Sequence, residues 1–292
     1  MVDIVGLVNL LFGGLVIGSL YALSAVGLTL LFGAASMSNL AHGEFVMLGG
    51  YLAYWLFTAM GVFPLYSLIL VAVVVAGLGA LLYLGVFSRI YAREVSIAET
   101  ESMTLLLTFA LIMIISNAVA WIFTPNYKSY SAMTHIIHFG GFQAISGRLA
   151  APAVAVPLIL VFWIFIRRTW FGRAIRCVIE DRDAAKIVGV NIGRVFLAVF
   201  MIGLAMAAIT GVLFSMIFPI TPYFGIEYTM ASFVAIILGT VGSVPGALIG
   251  GLIIGMAEST LVYYLAPSLK IAIIYSILIL VLLVKPRGIF AR

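Results

Sequence analysis

Glu44 and Glu258 are the only carboxylates placed well inside apolar stretches of this 292-residue sequence. An ionisable group in apolar surroundings is costly, so each is a functional candidate by default. Glu44 also reads as a first-turn residue, where a helix dipole favours negative charge. Glu258, followed by Ser259 and Thr260, reads either as a buried hydrogen-bond hub or as a group on a solute path. His42 precedes Glu44 by two positions, and residues two apart point to different helix faces. With no H-E-x-x-H pattern the pair makes no metal site, and His42 is either a packing histidine or a substrate contact. His135 and His138 lack a third ligand nearby, so their loop reads as a lid or docking surface. No nucleophile–base pairing and no G-x-x-x-x-G-K-[ST] phosphate loop is present, so no enzyme, metal or cofactor is expected.

A second group of candidates lies in the polar stretch 167–194, which reads RRTWFGRAIRCVIEDRDAAKIVGVNIGR. A helix is expected from about Glu180 to Val188, stopped by Gly189. Ala185 and Gly189 then share a face at i, i+4. Small residues ringed by charges suit a short helix pressed into a groove on a partner, whereas a plain topology anchor need not be structured. Cys177, the single cysteine, lies in this basic stretch and makes no internal disulfide.

The elements that must position these residues follow from composition. The sequence is 65% hydrophobic and 9% charged, against roughly 45–50% and about 25% in soluble domains. Mean hydropathy is +1.28. Such a chain cannot cover itself with polar surface, so it spans lipid, and its continuous apolar runs specify helices rather than barrel strands. Runs lie near 4–32, 43–62, 64–88, 102–124, 150–166, 195–218, 229–241, 246–265 and 271–284. The expectation is one all-α, polytopic domain over 1–292, with eight to ten membrane helices. A basic leader is missing before the first run, which is expected to stay as a span. Nucleic-acid binding and soluble enzymology are excluded as main roles.

Seven of the fifteen Lys and Arg fall between Arg167 and Arg194, with smaller clusters at Arg89 and Arg93 and at Lys285, Arg287 and Arg292. Placing all three inside gives a consistent alternation with a cytoplasmic C-terminus. Two segments look broken. Gly33-Ala34-Ala35-Ser36 stops the first run before Asn39 and His42, and Gly242-Ser243-Val244-Pro245-Gly246 interrupts a later one. Paired, glycine-interrupted segments point to a transport path; small residues at tight helix contacts are the alternative.

Four ordered motifs then acquire a common meaning: Asn39-Leu40-Ala41-His42-Gly43-Glu44; Phe171 to Arg176 with Asp183-Ala184-Ala185 and Gly189-Val190-Asn191; Gly242 to Ala247; and Lys285-Pro286-Arg287-Gly288-Ile289-Phe290. From about residue 15 onward the sequence resembles the branched-chain amino acid permease family of bacterial ABC importers, in its LivH-like subgroup. The resemblance implies a subunit of the bacterial inner membrane with no ATP site of its own. Its partners would be a second related permease, two cytoplasmic ATPase subunits and an external solute-binding protein. It implies that the helix near 180–189 docks on an ATPase through Ala184, Ala185 and Gly189, with Gly172, Arg173, Arg176 and Asp183 in the same coupling loop. Asn39, His42, Glu44, Gly242, Ser243 and Glu258 are the candidates for the substrate path. Leucine, isoleucine and valine are the implied substrates, with urea, amides or small organic acids as the alternative. A stand-alone secondary transporter would instead need Glu44 and Glu258 for ion coupling. Two departures stand out: 89–95 lacks the basic-Pro-Leu-Arg run of relatives, and Gly239-Thr240-Val241 replaces a paired glycine.

Overall fold

A computed structural model describes residues 4–91, 96–139, 142–265 and 269–284. The 92–95 part of the first polar loop and the ending Lys285 to Phe290, with its basic cluster, lie outside the described residues. The helices are α1 (Ile4–Ala35), α2 (His42–Met60), α3 (Pro64–Leu82), α4 (Ser88–Tyr91), α5 (Ile97–Phe123), α6 (Ser146–Arg168), α7 (Trp170–Glu180), α8 (Arg182–Ile187), α9 (Ile192–Ser215), α10 (Gly225–Gly239), α11 (Val244–Tyr264) and α12 (Lys270–Val284). A π-helical turn, Tyr83–Phe87, joins α3 to α4. Among the described residues, six stretches are long and apolar enough to cross a membrane: 6–35, 64–91, 98–123, 146–168, 192–215 and 244–264. Together with α2, α10 and α12 they account for the nine apolar runs.

The boundaries have local causes. Helix α5 opens on a capping box in which Ser96 and Glu99 satisfy each other's backbone N–H. Helix α3 opens on Pro64, whose missing N–H costs nothing in a first turn. Helix α2 closes at Gly61 in the left-handed region, where Gly61 and Val62 N–H groups bond back to Phe57 and Leu56 carbonyls. The loop between α5 and α6 carries a hairpin that hydropathy did not reveal: β1 (Ile136–Phe139) pairs antiparallel with β2 (Phe142–Ile145), Ile136 opposite Ile145.

Helix α1 is the axis of the bundle and is mostly buried, as is α9, while α3, α5 and α6 expose most of their apolar surface at the rim. Helix α11 runs antiparallel to α1, with Ser259 Oγ donating to the Leu10 carbonyl at 2.9 Å. A Cβ at Gly255 would strike the backbone of Gly18, so this contact requires a residue without a side chain. In lipid, where the hydrophobic effect does not drive helices together, such close backbone packing is a main source of association.

Candidate functional site

Helix α1 ends at Ala35, and α2 does not begin at the same level. His42 Nε2 donates to the carbonyl of Ser24 at 3.0 Å, a residue about 16 Å back along α1. Residues 36–41 therefore double back through the bundle interior without helical hydrogen bonds. Non-helical backbone at such depth survives only where protein satisfies its polar groups. Thr229 of α10 does much of this: its hydroxyl accepts from Gly43 N–H at 2.8 Å and donates to the Leu40 carbonyl at 3.0 Å. Thr108 of α5 holds Leu40 N–H at 3.4 Å, and Ser232 donates to Ser24 at 2.7 Å. Thr229→Val keeps the shape and removes both bonds. The expected cost is about 1–3 kcal/mol, read as a lower melting temperature of the purified chain.

The first turn of α2 then meets the start of α10. Glu44 lies in that turn, 2% exposed, and accepts from Ser116 Oγ at 2.9 Å. Its carboxylate rests against Gly225, where any Cβ would collide with it. Two helix N-termini, each with partial positive charge, thus converge on one buried carboxylate. The first-turn placement expected for Glu44 holds. Asn39 is 1% exposed, and neither its amide nitrogen nor its oxygen meets a partner among the described residues; the same is true of His42 Nδ1.

The segment matching 36–41 is not the glycine-rich one. Gly242 and Ser243 form a tight turn between consecutive helices, with Gly242 N–H on Thr29 Oγ1 at 2.9 Å and Ser243 capping α11. The counterpart is 216–224, which carries the chain from the end of α9 inward to Gly225. It is pinned by a bridge between Lys128 and Ile220, while the Tyr130 hydroxyl meets Ser215 Oγ at 2.9 Å. Burial pushes that tyrosine up to about 12, so it stays protonated.

Glu258 is a hub. Tyr21 of α1 donates to it at 2.6 Å, and Lys270 of α12 lies 3.6 Å from its other oxygen. The same ammonium sits 3.8 Å from Glu227 and 5.8 Å from the centre of the Tyr228 ring. Four helices meet there.

At the end of the bundle where α1 stops, the helix expected over Glu180–Val188 divides at Asp181. Its carboxylate caps α8 by accepting from Asp183 and Ala184 N–H at 2.8 and 3.0 Å. Before it, α7 turns Ala174, Ile175 and Val178 inward, and Gly172 packs against Ile166 of α6. Arg176 bonds the Ile166 carbonyl, whereas Arg173 points outward. Ala185 is fully buried within this chain and so cannot meet a partner; the helix stops at Ile187, short of Gly189 at φ +83°. The shared Ala185–Gly189 face is thereby corrected: Ala185 turns inward, while Asp183, Ala184, Lys186, Ile187, Val188 and Gly189 are exposed, Ile187 and Val188 by 86% and 71%. Arg182, which sequence reasoning passed over, donates to the Ala34 carbonyl at 3.2 Å and Ser36 Oγ at 2.8 Å. It also stacks on Phe196 at 5.1 Å. It ties α8 to the end of α1, at the start of the doubled-back segment. Serines and threonines recurring inside apolar runs (Ser24, Thr108, Ser116, Thr229, Ser232) were the available signal for the interior network.

The chain matches the family described as branched-chain amino acid transport system / permease component over residues 10–282. It is 36% identical to the high-affinity branched-chain amino acid transport system permease protein LivH of Escherichia coli, covering 97% of this chain and 94% of that one. The corresponding BraD protein of Pseudomonas aeruginosa is 30% identical over 97% of this chain and 95% of its own. Among solved structures, PsaBC from Streptococcus pneumoniae in complex with Fab aligns over 97% of this chain and 93% of that one at 14% identity and TM-score 0.47, too loose a likeness to bear on function.

Proposed function

Since this chain belongs to the family of branched-chain amino acid transport permeases, we propose that it pairs with a second related permease to form the path of an ATP-driven importer for leucine, isoleucine and valine. One of two ATPase subunits docks on α8 from the cytoplasm, the other on the partner permease, and a solute-binding protein docks at the opposite end on the 125–149 and 216–224 loops. The supporting observation is the α7–α8 unit. A short helix offers Ala184, Ile187 and Val188 outward, while Arg182 clamps its root to the Ala34 carbonyl and the Ser36 hydroxyl at the end of α1.

Closure of the ATPase pair moves α8, and Arg182 passes that displacement to Ser36. From there the doubled-back segment leads to Asn39, His42 and Glu44, so the beginning of α2 shifts against that of α10. Asn39 and His42 present the buried polar atoms with spare hydrogen-bonding capacity on this route. The turn at Gly242 and Ser243, bound to Thr29, follows the end of α1, and the Glu258 cluster holds α1, α10, α11 and α12 together as the bundle rocks. Access to the path alternates between the two sides.

Purifying the chain from its native membranes in mild detergent, with mass spectrometry of its companions, tests this reading. A second permease and ATPases bearing phosphate loops are expected. A chain recovered alone and able to move solute into vesicles without ATP overturns it, and would point to Glu44 as an ion-coupling group.

A further inference from the structure

A cleft of about 480 Å³ opens between the π-helical turn and the start of α9, beside α8, which contributes Lys186 to its lining. Tyr83, Leu84, Phe196 and Leu197 form its apolar wall, and Ser88, Lys186 and Arg194 stand among its polar lining. No lining residue is acidic. Lys186 is engaged with Asp183 at 3.2 Å. The Arg194 guanidinium has no side-chain partner among the described residues and is exposed, as is Arg89, next to Ser88.

The level of this cleft in the bilayer follows from helix length. The stretch 64–91 has 28 residues, about 42 Å of helix against a hydrocarbon core of about 30 Å. Its last turns, which line the cleft, therefore reach the headgroup zone. On the same stretch Leu81 and Leu84 are 70% and 58% exposed, so the cleft is open sideways toward lipid. Apolar wall, unpaired guanidinium and headgroup depth occur together. A volume of this size admits a phosphate, its glycerol and the first carbons of an acyl chain.

We propose that this cleft binds one anionic phospholipid, its phosphate on Arg194 and Lys186 and an acyl chain along Leu84 and Leu197. A lipid held there packs the widened turn of the 64–91 span against the start of α9, next to the α8 root.

Native mass spectrometry of the purified chain, offered equal amounts of phosphatidylglycerol and phosphatidylcholine with matched acyl chains, tests this. One retained phosphatidylglycerol is expected, in clear excess over phosphatidylcholine. Arg194→Ala should lower its retention about fivefold, the effect of one cation near a headgroup. Leu84→Trp should lower both lipids by filling the wall, and Arg148→Ala, in a separate cleft beside Asn9, should change nothing. Melting temperatures of the variants check that each is folded. Equal retention of the two lipids, or a folded Arg194→Ala chain that keeps its phosphatidylglycerol, overturns the assignment.

Discussion

Aspartate at both Ile187 and Val188 is expected to abolish ATP-driven uptake while leaving the chain folded and inserted. Both side chains are largely exposed and contribute little to this chain's own packing, so their loss costs it little stability. On the proposed docking face each contributes the burial of one aliphatic side chain, about 1.5–3 kcal/mol. Losing both weakens ATPase binding by roughly 10²- to 10⁴-fold, before the cost of burying two carboxylates. The contrasting variant is Arg182→Ala. It leaves the outward face of α8 intact but removes the hydrogen bonds to Ala34 and Ser36. The ATPases should remain bound and hydrolyse ATP, with uptake reduced, because α8 then moves without pulling on the doubled-back segment. Co-purification, ATP hydrolysis and uptake, measured on both variants, separate docking from transmission. An aspartate double variant that retains full uptake removes α8 as the contact.

Lys270→Met is expected to be the most destabilising single change away from that face. It leaves Glu258, 4% exposed, with the Tyr21 hydroxyl as its sole partner among the described residues. Stranding a buried charge in this way costs about 3–5 kcal/mol, toward the low end here because the Lys270 side chain is 29% exposed. Adding Glu258→Gln to Lys270→Met should recover much of the loss, since the charge that needed compensation is gone. The two substitutions are therefore non-additive. Melting temperatures of the two single variants and the double variant measure this; a double variant destabilised by the sum of the singles contradicts the cluster as a charge-balanced unit.

Hydropathy made the nine apolar helices legible, because in lipid each helix satisfies its own backbone and must carry its own apolar surface. Their lateral order was not legible, since a lipid-facing leucine and a buried one read alike. The contact of Tyr21 with Glu258 joins residues 237 apart in sequence. No local pattern announces it, and Glu258 alone could be read as hub or path. The break after Gly33 is visible in the sequence, but the glycines that suggest its counterpart serve other ends: Gly242 makes a tight turn and Gly246 packs on Gly239, while the inward course of 216–224 leaves no mark in hydropathy. The coupling stretch was found by charge and by small residues. Its division at Asp181 is not legible because Asp181 and Asp183, two residues apart, offer the same N-cap signal until geometry chooses. Ala185 shows the same limit, since a small residue suits a contact with a partner as well as one within the chain.

On the proposed function, ATP drives branched-chain amino acids through this chain and its permease partner. The most direct test is uptake of radiolabelled leucine by proteoliposomes holding the purified complex, with the binding protein outside and ATP enclosed or omitted. The expected result is accumulation that needs both ATP and the binding protein, competes with isoleucine and valine, and is absent with aspartate at Ile187 and Val188. Leucine accumulation that proceeds without ATP, or an ATP-driven complex that accumulates other solutes and leaves leucine outside, would contradict it.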